Sequence, residues 1–233
     1  MPDSPFLTAE WRYLAMLNYA VDPRILAEYL PAGTQLDFHE GKTYVSLVGL
    51  RFLRTRLLGM PIPLHTDFDE VNLRFYVRRG EKRATVFIRE IVPRWAIAKI
   101  AELAYNEKYI ALPMWNRIAM PLVEYGWKLR GARNYLRVEC AGGEPVDLES
   151  GSLGQFIAEH YWGYCAQRDG GTVEYRLEHP PWRVWPGLRS EIRIDVEKLY
   201  GAQFVETLAA QPVSAFVAEG SAVKVFKPKR VSS

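Results

Sequence analysis

The segment Glu70-Val-Asn-Leu-Arg-Phe-Tyr-Val77 alternates polar and apolar residues without an exception. Side chains alternate across a strand, so Glu70, Asn72, Arg74 and Tyr76 share one face and Val71, Leu73, Phe75 and Val77 the other. A helix with 3.6 residues per turn would scatter both sets around its axis. This stretch therefore calls for a sheet with two chemically distinct sides. Further strand signals occur at residues 44–52, 84–91, 134–140 and 172–177, at 192–196, and at 213–218 and 222–226. Arg79-Gly-Glu-Lys82 reads as a hairpin turn, and Glu219-Gly-Ser221 as a second. Helices are expected in four places. One begins at Asp22-Pro23, with Asp as N-cap, and closes at Pro31-Ala-Gly33; the others cover residues 95–105, 153–164 and 197–209. Many strands with few helices between them predict an α+β chain, mainly antiparallel β, whose sheet curls or closes to protect its edges.

Length and composition narrow the partners. The 233 residues, without repeat or linker, fit a single domain over 1–233, and 48% hydrophobic with 24% charged residues is a foldable mixture. The formal charge of +3 is too slight to predict nucleic acid or an anionic membrane as a partner, and it leaves a homo-oligomer open. Cys140 and Cys165 form neither a disulfide framework nor a CxxC site, and the N-terminus shows no basic region followed by an apolar one. A reduced, cytoplasmic protein without a membrane span is the expectation. His39, His65, His160 and His179 lack HxxxH or HxH spacing, and no Gly-rich phosphate loop is present, so neither a metal nor a cofactor is implied.

Three segments can carry chemistry. The Glu70 face is either a solvated strand surface or the lining of a barrel interior. In the second case Glu70 and Arg74 would neutralise each other while offering a proton-transfer carboxylate and an anion-binding guanidinium. Lys108, at an expected helix end, is a Schiff-base amine only if desolvated and otherwise a solvated lysine. In Glu178-His-Pro-Pro-Trp182, His179 either acts as an acid or base at a stiff aromatic lip or simply caps a turn. Residues 51–63, with Gly59, Pro61 and Pro63, read as a loop over a pocket mouth.

Five stretches in order, Val21-Asp-Pro-Arg through Leu30-Pro-Ala-Gly33, Glu70–Val77, Leu112-Pro-Met114, Phe156-Ile-Ala-Glu-His-Tyr161 and His179-Pro-Pro-Trp182, resemble the domain of unknown function 2071, or YqjF-like, family. That family is similar to acetoacetate decarboxylase, which implies a curled β-cone or barrel around a central pocket. Decarboxylases of this kind form an imine on a lysine that directly follows a proline and whose pKa a second amine lowers. Here Pro113 is followed by Met114 and Trp115, and no lysine lies between Lys108 and Lys128. The resemblance thus implies Met114 and Trp115 in place of the amines, and Glu70 in the place of a pocket glutamate. The expected pocket takes a small apolar ligand with an anionic or carbonyl group, held by Arg74, Asn72 and Tyr76, with Phe87 and Trp115 as walls. One alternative is a lyase or isomerase of keto compounds using Glu70 as acid or base, with Tyr76 or His179 polarising the carbonyl. Another is an interaction protein whose cone is filled by its own side chains.

Overall fold

The computed structural model describes residues 4–62, 66–93 and 108–231. The helix expected over 95–105 lies outside the described residues. In chain order the strands are β1 (Leu7–Val21), β2 (Gln35–Leu36), β3 (Thr43–Leu57), β4 (Met60–Pro61) and β5 (Phe68–Arg79). They continue with β6 (Lys82–Val92), β7 (Tyr109–Ala111), β8 (Met114–Ala119), β9 (Leu122–Leu129) and β10 (Ala132–Cys140). The last five are β11 (Trp162–Ala166), β12 (Thr172–Glu178), β13 (Val184–Arg193), β14 (Ser214–Val225) and β15 (Lys229–Arg230). Short helices α1 (Pro23–Leu26), α2 (Leu153–Ala158), α3 (Val196–Tyr200) and α4 (Val205–Ala209) are peripheral.

Seven strands in the order β12-β11-β6-β5-β3-β1-β14 curl until β14 pairs again with β12, through Leu177 opposite Val225 and Glu178 opposite Lys224. The neighbours in this ring are antiparallel except β11 and β6. Register shifts within β1–β3, between Thr8 and Glu10 and between Arg12 and Ala15, add the bends that closure requires. From β14 the sheet leaves the ring through β13, β10, β9 and β8 and folds back over its outside. There Tyr125 on β9 donates from its hydroxyl to the Tyr13 carbonyl at 2.8 Å.

The ring wall is consequently buried on both sides. Outside, Leu47, Leu73, Phe75 and Val86 form one core with Tyr125 and Trp127 of the returning flap and Leu199 and Phe204 near α3. Inside, Leu14, Met16, Val48 and Phe68 form a second with Phe156 and Trp182. A flap on one side and a closed ring on the other explain why every residue of β5 from Phe68 to Val77 is buried, polar ones included.

Several expected elements change. Residues 213–218 and 222–226 do not form a hairpin: β14 runs through Gly220 opposite an unbroken β1, with Arg12 paired to Gly220. Gly220 adopts φ +82°, and a Cβ there would stand 2.0 Å from the Trp11 carbonyl oxygen, so the glycine marks a close strand approach and not a turn. The helix over 153–164 stops at Ala158, because Trp162–Ala166 are claimed by β12 and β6 as strand β11. The helix over 197–209 is broken at Gly201 into α3, a 3₁₀ turn and α4. The strand placed at 192–196 is the end of β13, since Asp195 caps α3 by accepting from the Lys198 amide at 3.3 Å. Strand β1 and the β8–β9 hairpin carry no clean alternation and appear only through their pairings.

Candidate functional site

The ring encloses a cavity of about 120 Å³. Leu14, Val48, Leu50, Phe52, Phe68 and Phe87 make most of its wall apolar. The polar groups are gathered on one side, where β5 supplies Glu70, Asn72 and Arg74, β6 supplies Glu90, and β7 supplies Tyr109.

Glu90 reaches this cavity through a bulge. Leu73 pairs with Arg89 and Arg74 with Phe87, so Ile88 is an extra residue in β6 and the inside–outside parity of that strand flips there. Ala84, Val86 and Ile88 face the outer core, Phe87 faces the cavity, and beyond the bulge the inward position passes to Glu90 while Ile91 turns out. Uniform alternation would place Glu90 on the outer face with Val86, which is why its place in the cavity is invisible in the sequence.

The electrostatics follow from burial. Glu70 Oε1 accepts from Asn72 Nδ2 at 2.9 Å, and Oε2 from the Tyr109 hydroxyl at 3.5 Å, the outer limit of a hydrogen bond. Loss of solvent pushes the Glu70 carboxyl up to about 7, against the lowering pull of those two hydrogen bonds and of the Arg74 charge. Arg74 is 8% exposed. Its Nη2 donates to the Ile157 carbonyl at the end of α2 over a long 3.4 Å, and its Nε has no acceptor among the described residues. No carboxylate among the described residues forms an ion pair with it. The close Glu70–Arg74 pair expected from the sequence is thus replaced by a protonatable carboxyl and a guanidinium that forms no ion pair among the described residues.

Arg74 also lines a second chamber of about 20 Å³, which shares Trp11, Phe87, Tyr175 and Leu177 with the main cavity and adds His160 and Thr85. His160 Nε2 lies 3.3 Å from Asp37 Oδ2, which Arg83 Nε also meets at 2.7 Å. Burial raises the Asp37 carboxyl, but hydrogen bonds from His160 and Arg83 outweigh it and hold it below its ordinary value. Burial drives His160 down to about 4 despite Asp37, so the ring is neutral at pH 7. A carboxylate only accepts, so Nε2 carries the proton and Nδ1 is a bare acceptor, with no partner among the described residues. The sequence motif Phe156–Tyr161 contains His160, but only the end of α2 brings it beside Arg74.

The remaining expected site residues lie elsewhere. Tyr76 stands behind the cavity: its hydroxyl donates to Ser46 Oγ at 2.5 Å, and Ser46 in turn donates to Asn18 Oδ1 at 2.6 Å. Its ring packs 4.6 Å from His160. Met114 and Trp115 are on β8, at the far edge of the outer flap, because the chain leaves β6 after β7 to pair with β9. The Trp115 ring covers Gly126, where a Cβ would lie 2.2 Å away, and it is not a cavity wall. Tyr109, five residues before Met114, is the described residue of this segment that reaches the cavity. His179 stacks on Trp182 at 4.2 Å, donates from Nδ1 to the Pro180 carbonyl, and borders the small chamber and a surface groove. Lys108 Nζ points to the Tyr29 ring, 5.0 Å from its centroid, on the outer side. No lysine is among the described cavity residues, which also contain no cluster of metal-ligating side chains. No described helix is long and apolar enough to cross a membrane.

A seven-stranded curled ring closed over a pocket, with few peripheral helices, is the acetoacetate decarboxylase-like fold. The acetoacetate decarboxylase of Legionella pneumophila superposes with a TM-score of 0.71 over 99% of this chain and 88% of its own, at 13% identity. The enduracididine biosynthesis enzyme MppR, in a structure complexed with pyruvate, gives 0.67 over 100% and 92%, at 11% identity. The chain itself belongs to the DUF2071 family, described as an uncharacterized conserved protein, whose profile matches residues 8–222. The uncharacterized protein YqjF of Bacillus subtilis is 22% identical over 222 residues, 91% of this chain and 88% of that protein.

Proposed function

We propose that the ring cavity binds a small carboxylate with an apolar body, and that Arg74 is its charge partner. The observation that carries this reading is Arg74 itself, a buried guanidinium without an ion-pair partner among the described residues, at the polar side of a cavity whose wall is mostly apolar. An uncompensated buried charge costs several kcal/mol, and a bound anion removes that cost. A cavity of about 120 Å³ is somewhat smaller than the ~150 Å³ that holds benzene, so the ligand is small or extends through the mouth. Two fold relatives agree in kind: one is named for acetoacetate, the other was solved with pyruvate. An enzyme acting on a small oxo acid is a second reading, favoured by the Glu70 carboxyl near 7, where it exchanges a proton at neutral pH beside a carbonyl held by Arg74. With no lysine among the described cavity residues, this chemistry would run through Glu70 and not through an imine.

Thermal unfolding tests the binding reading. Hexanoate should raise Tm more than hexanol does, by several degrees at saturating concentration, and Arg74→Gln should remove the difference while leaving the effect of hexanol. Equal stabilisation by acid and alcohol, or a preference that survives Arg74→Gln, overturns it.

A further inference from the structure

The small chamber beside Arg74 has a composition that selects one functional group. It is about 20 Å³, the room of a single oxygen-sized group, so it can hold a substituent of a ligand in the main cavity but not a ligand of its own. Two buried polar atoms without partners among the described residues belong to the residues that frame it, Arg74 Nε and His160 Nδ1. The first only donates. The second only accepts, because Asp37 holds the proton on Nε2. A carbonyl or carboxylate oxygen would satisfy Arg74 but meet the His160 lone pair. An ammonium would satisfy His160 but meet the guanidinium. A hydroxyl accepts and donates through one atom and satisfies both.

We propose that the chamber is a hydroxyl subsite, and that the ligand is a 2-hydroxy acid whose hydroxyl accepts from Arg74 and donates to His160. This rests on the carboxylate reading of the main cavity and specifies it. Arg74 faces both spaces, so a carboxylate on the cavity side and a hydroxyl on the adjacent carbon reach the same guanidinium. Asp37 and Arg83 position His160 from behind and do not touch the ligand.

The test is calorimetric titration of the full chain with hexanoate and with each enantiomer of 2-hydroxyhexanoate at pH 7. One enantiomer should bind roughly ten- to thirtyfold more tightly than hexanoate, the net worth of the two hydrogen bonds its hydroxyl adds. His160→Phe should remove most of the hydroxyl preference, because the hydroxyl then loses its acceptor and keeps only the bond from Arg74. Because that variant also loses the Asp37 contact, nitrogen NMR of the wild-type imidazoles gives an independent measure. His160 Nδ1 should shift with 2-hydroxyhexanoate and stay in place with hexanoate. If hexanoate binds through Arg74 and the hydroxy acid gains nothing, the chamber holds a water only and the subsite is refuted while the carboxylate reading stands. A hydroxyl preference undiminished in His160→Phe, or a Nδ1 signal indifferent to the ligand, refutes it equally. If neither acid binds, the carboxylate reading fails and takes the subsite with it.

Discussion

Glu70 and Arg74 project from the same face of β5 into the same cavity, separated by Asn72, and form no ion pair. Asn72 donates to Glu70 Oε1, while Arg74 reaches towards the Ile157 carbonyl of α2. The consequence is a carboxyl that can be neutral at pH 7 beside a cation that cannot, which is a field suited to an incoming anion.

The first prediction concerns Glu70 and pH. Its folded value of about 7 lies above its ordinary 4.5, so the folded state holds the proton more tightly than the unfolded one. Its contribution is fully present below about pH 4.5 and is lost as pH rises through 7. Glu70→Gln lacks this loss. The stability of the variant relative to wild type should therefore improve by roughly 3 kcal/mol between pH 4.5 and pH 8, measured by urea unfolding. A difference that does not vary with pH would place Glu70 in solvent-like surroundings.

Arg74 should be dispensable for folding. Truncating one member of a buried ion pair costs roughly 3–5 kcal/mol, but no such pair exists among the described residues, and the losses are the long bond to Ile157, the contact with the Tyr76 ring and a weak attraction to Glu70. Arg74→Met should leave the unliganded Tm unchanged or higher while abolishing the extra stabilisation by hexanoate over hexanol. A fall of more than about 5 °C without ligand would show that the guanidinium is structural.

Tyr76 should behave in the opposite way. Its hydroxyl begins a buried chain through Ser46 and Asn18 to Ser214, which Asn18 Nδ2 meets at 2.9 Å, crossing four strands of the ring. Tyr76→Phe removes one donor and should cost about 1–2 kcal/mol in denaturant unfolding. Hexanoate should bind the variant as it binds wild type. Weakened binding at unchanged stability would put the hydroxyl in the cavity instead.

Gly220 discriminates a continuous strand from a turn. In a hairpin turn with positive φ, asparagine would substitute with little loss. In β14 the Cβ of any replacement meets the Trp11 carbonyl. Both Gly220→Ala and Gly220→Asn should destabilise by roughly 3 kcal/mol or more, and tolerance of asparagine would restore the hairpin.

The alternation of residues 70–77 was sufficient to assign β5 and to sort its side chains into two sets, because a period of two is a local property of extended backbone. The hairpin at Gly80-Glu81 was equally legible, since two residues leave only a tight turn between Arg79 and Lys82. Resemblance of short motifs pointed to the curled fold. Which side of β5 met solvent was not decidable locally: alternation describes a wet sheet face and a ring interior alike, and only the pairing of β12 with β14 closes the ring. The same closure brings Arg74 beside His160, 86 positions along the chain, a juxtaposition without any local pattern. Glu90 was hidden for a different reason. A single extra residue at Ile88 reverses the parity on which strand reading depends, and bulges leave little trace in residue type. Met114 and Trp115 went to the outer flap because strand order, which rests on contacts between distant segments, decides where β8 pairs. Local periodicity thus determined the strand and its two faces, whereas the interior face and the company its guanidinium keeps were set by long-range pairing, where burial removes the water that would otherwise have satisfied those charges.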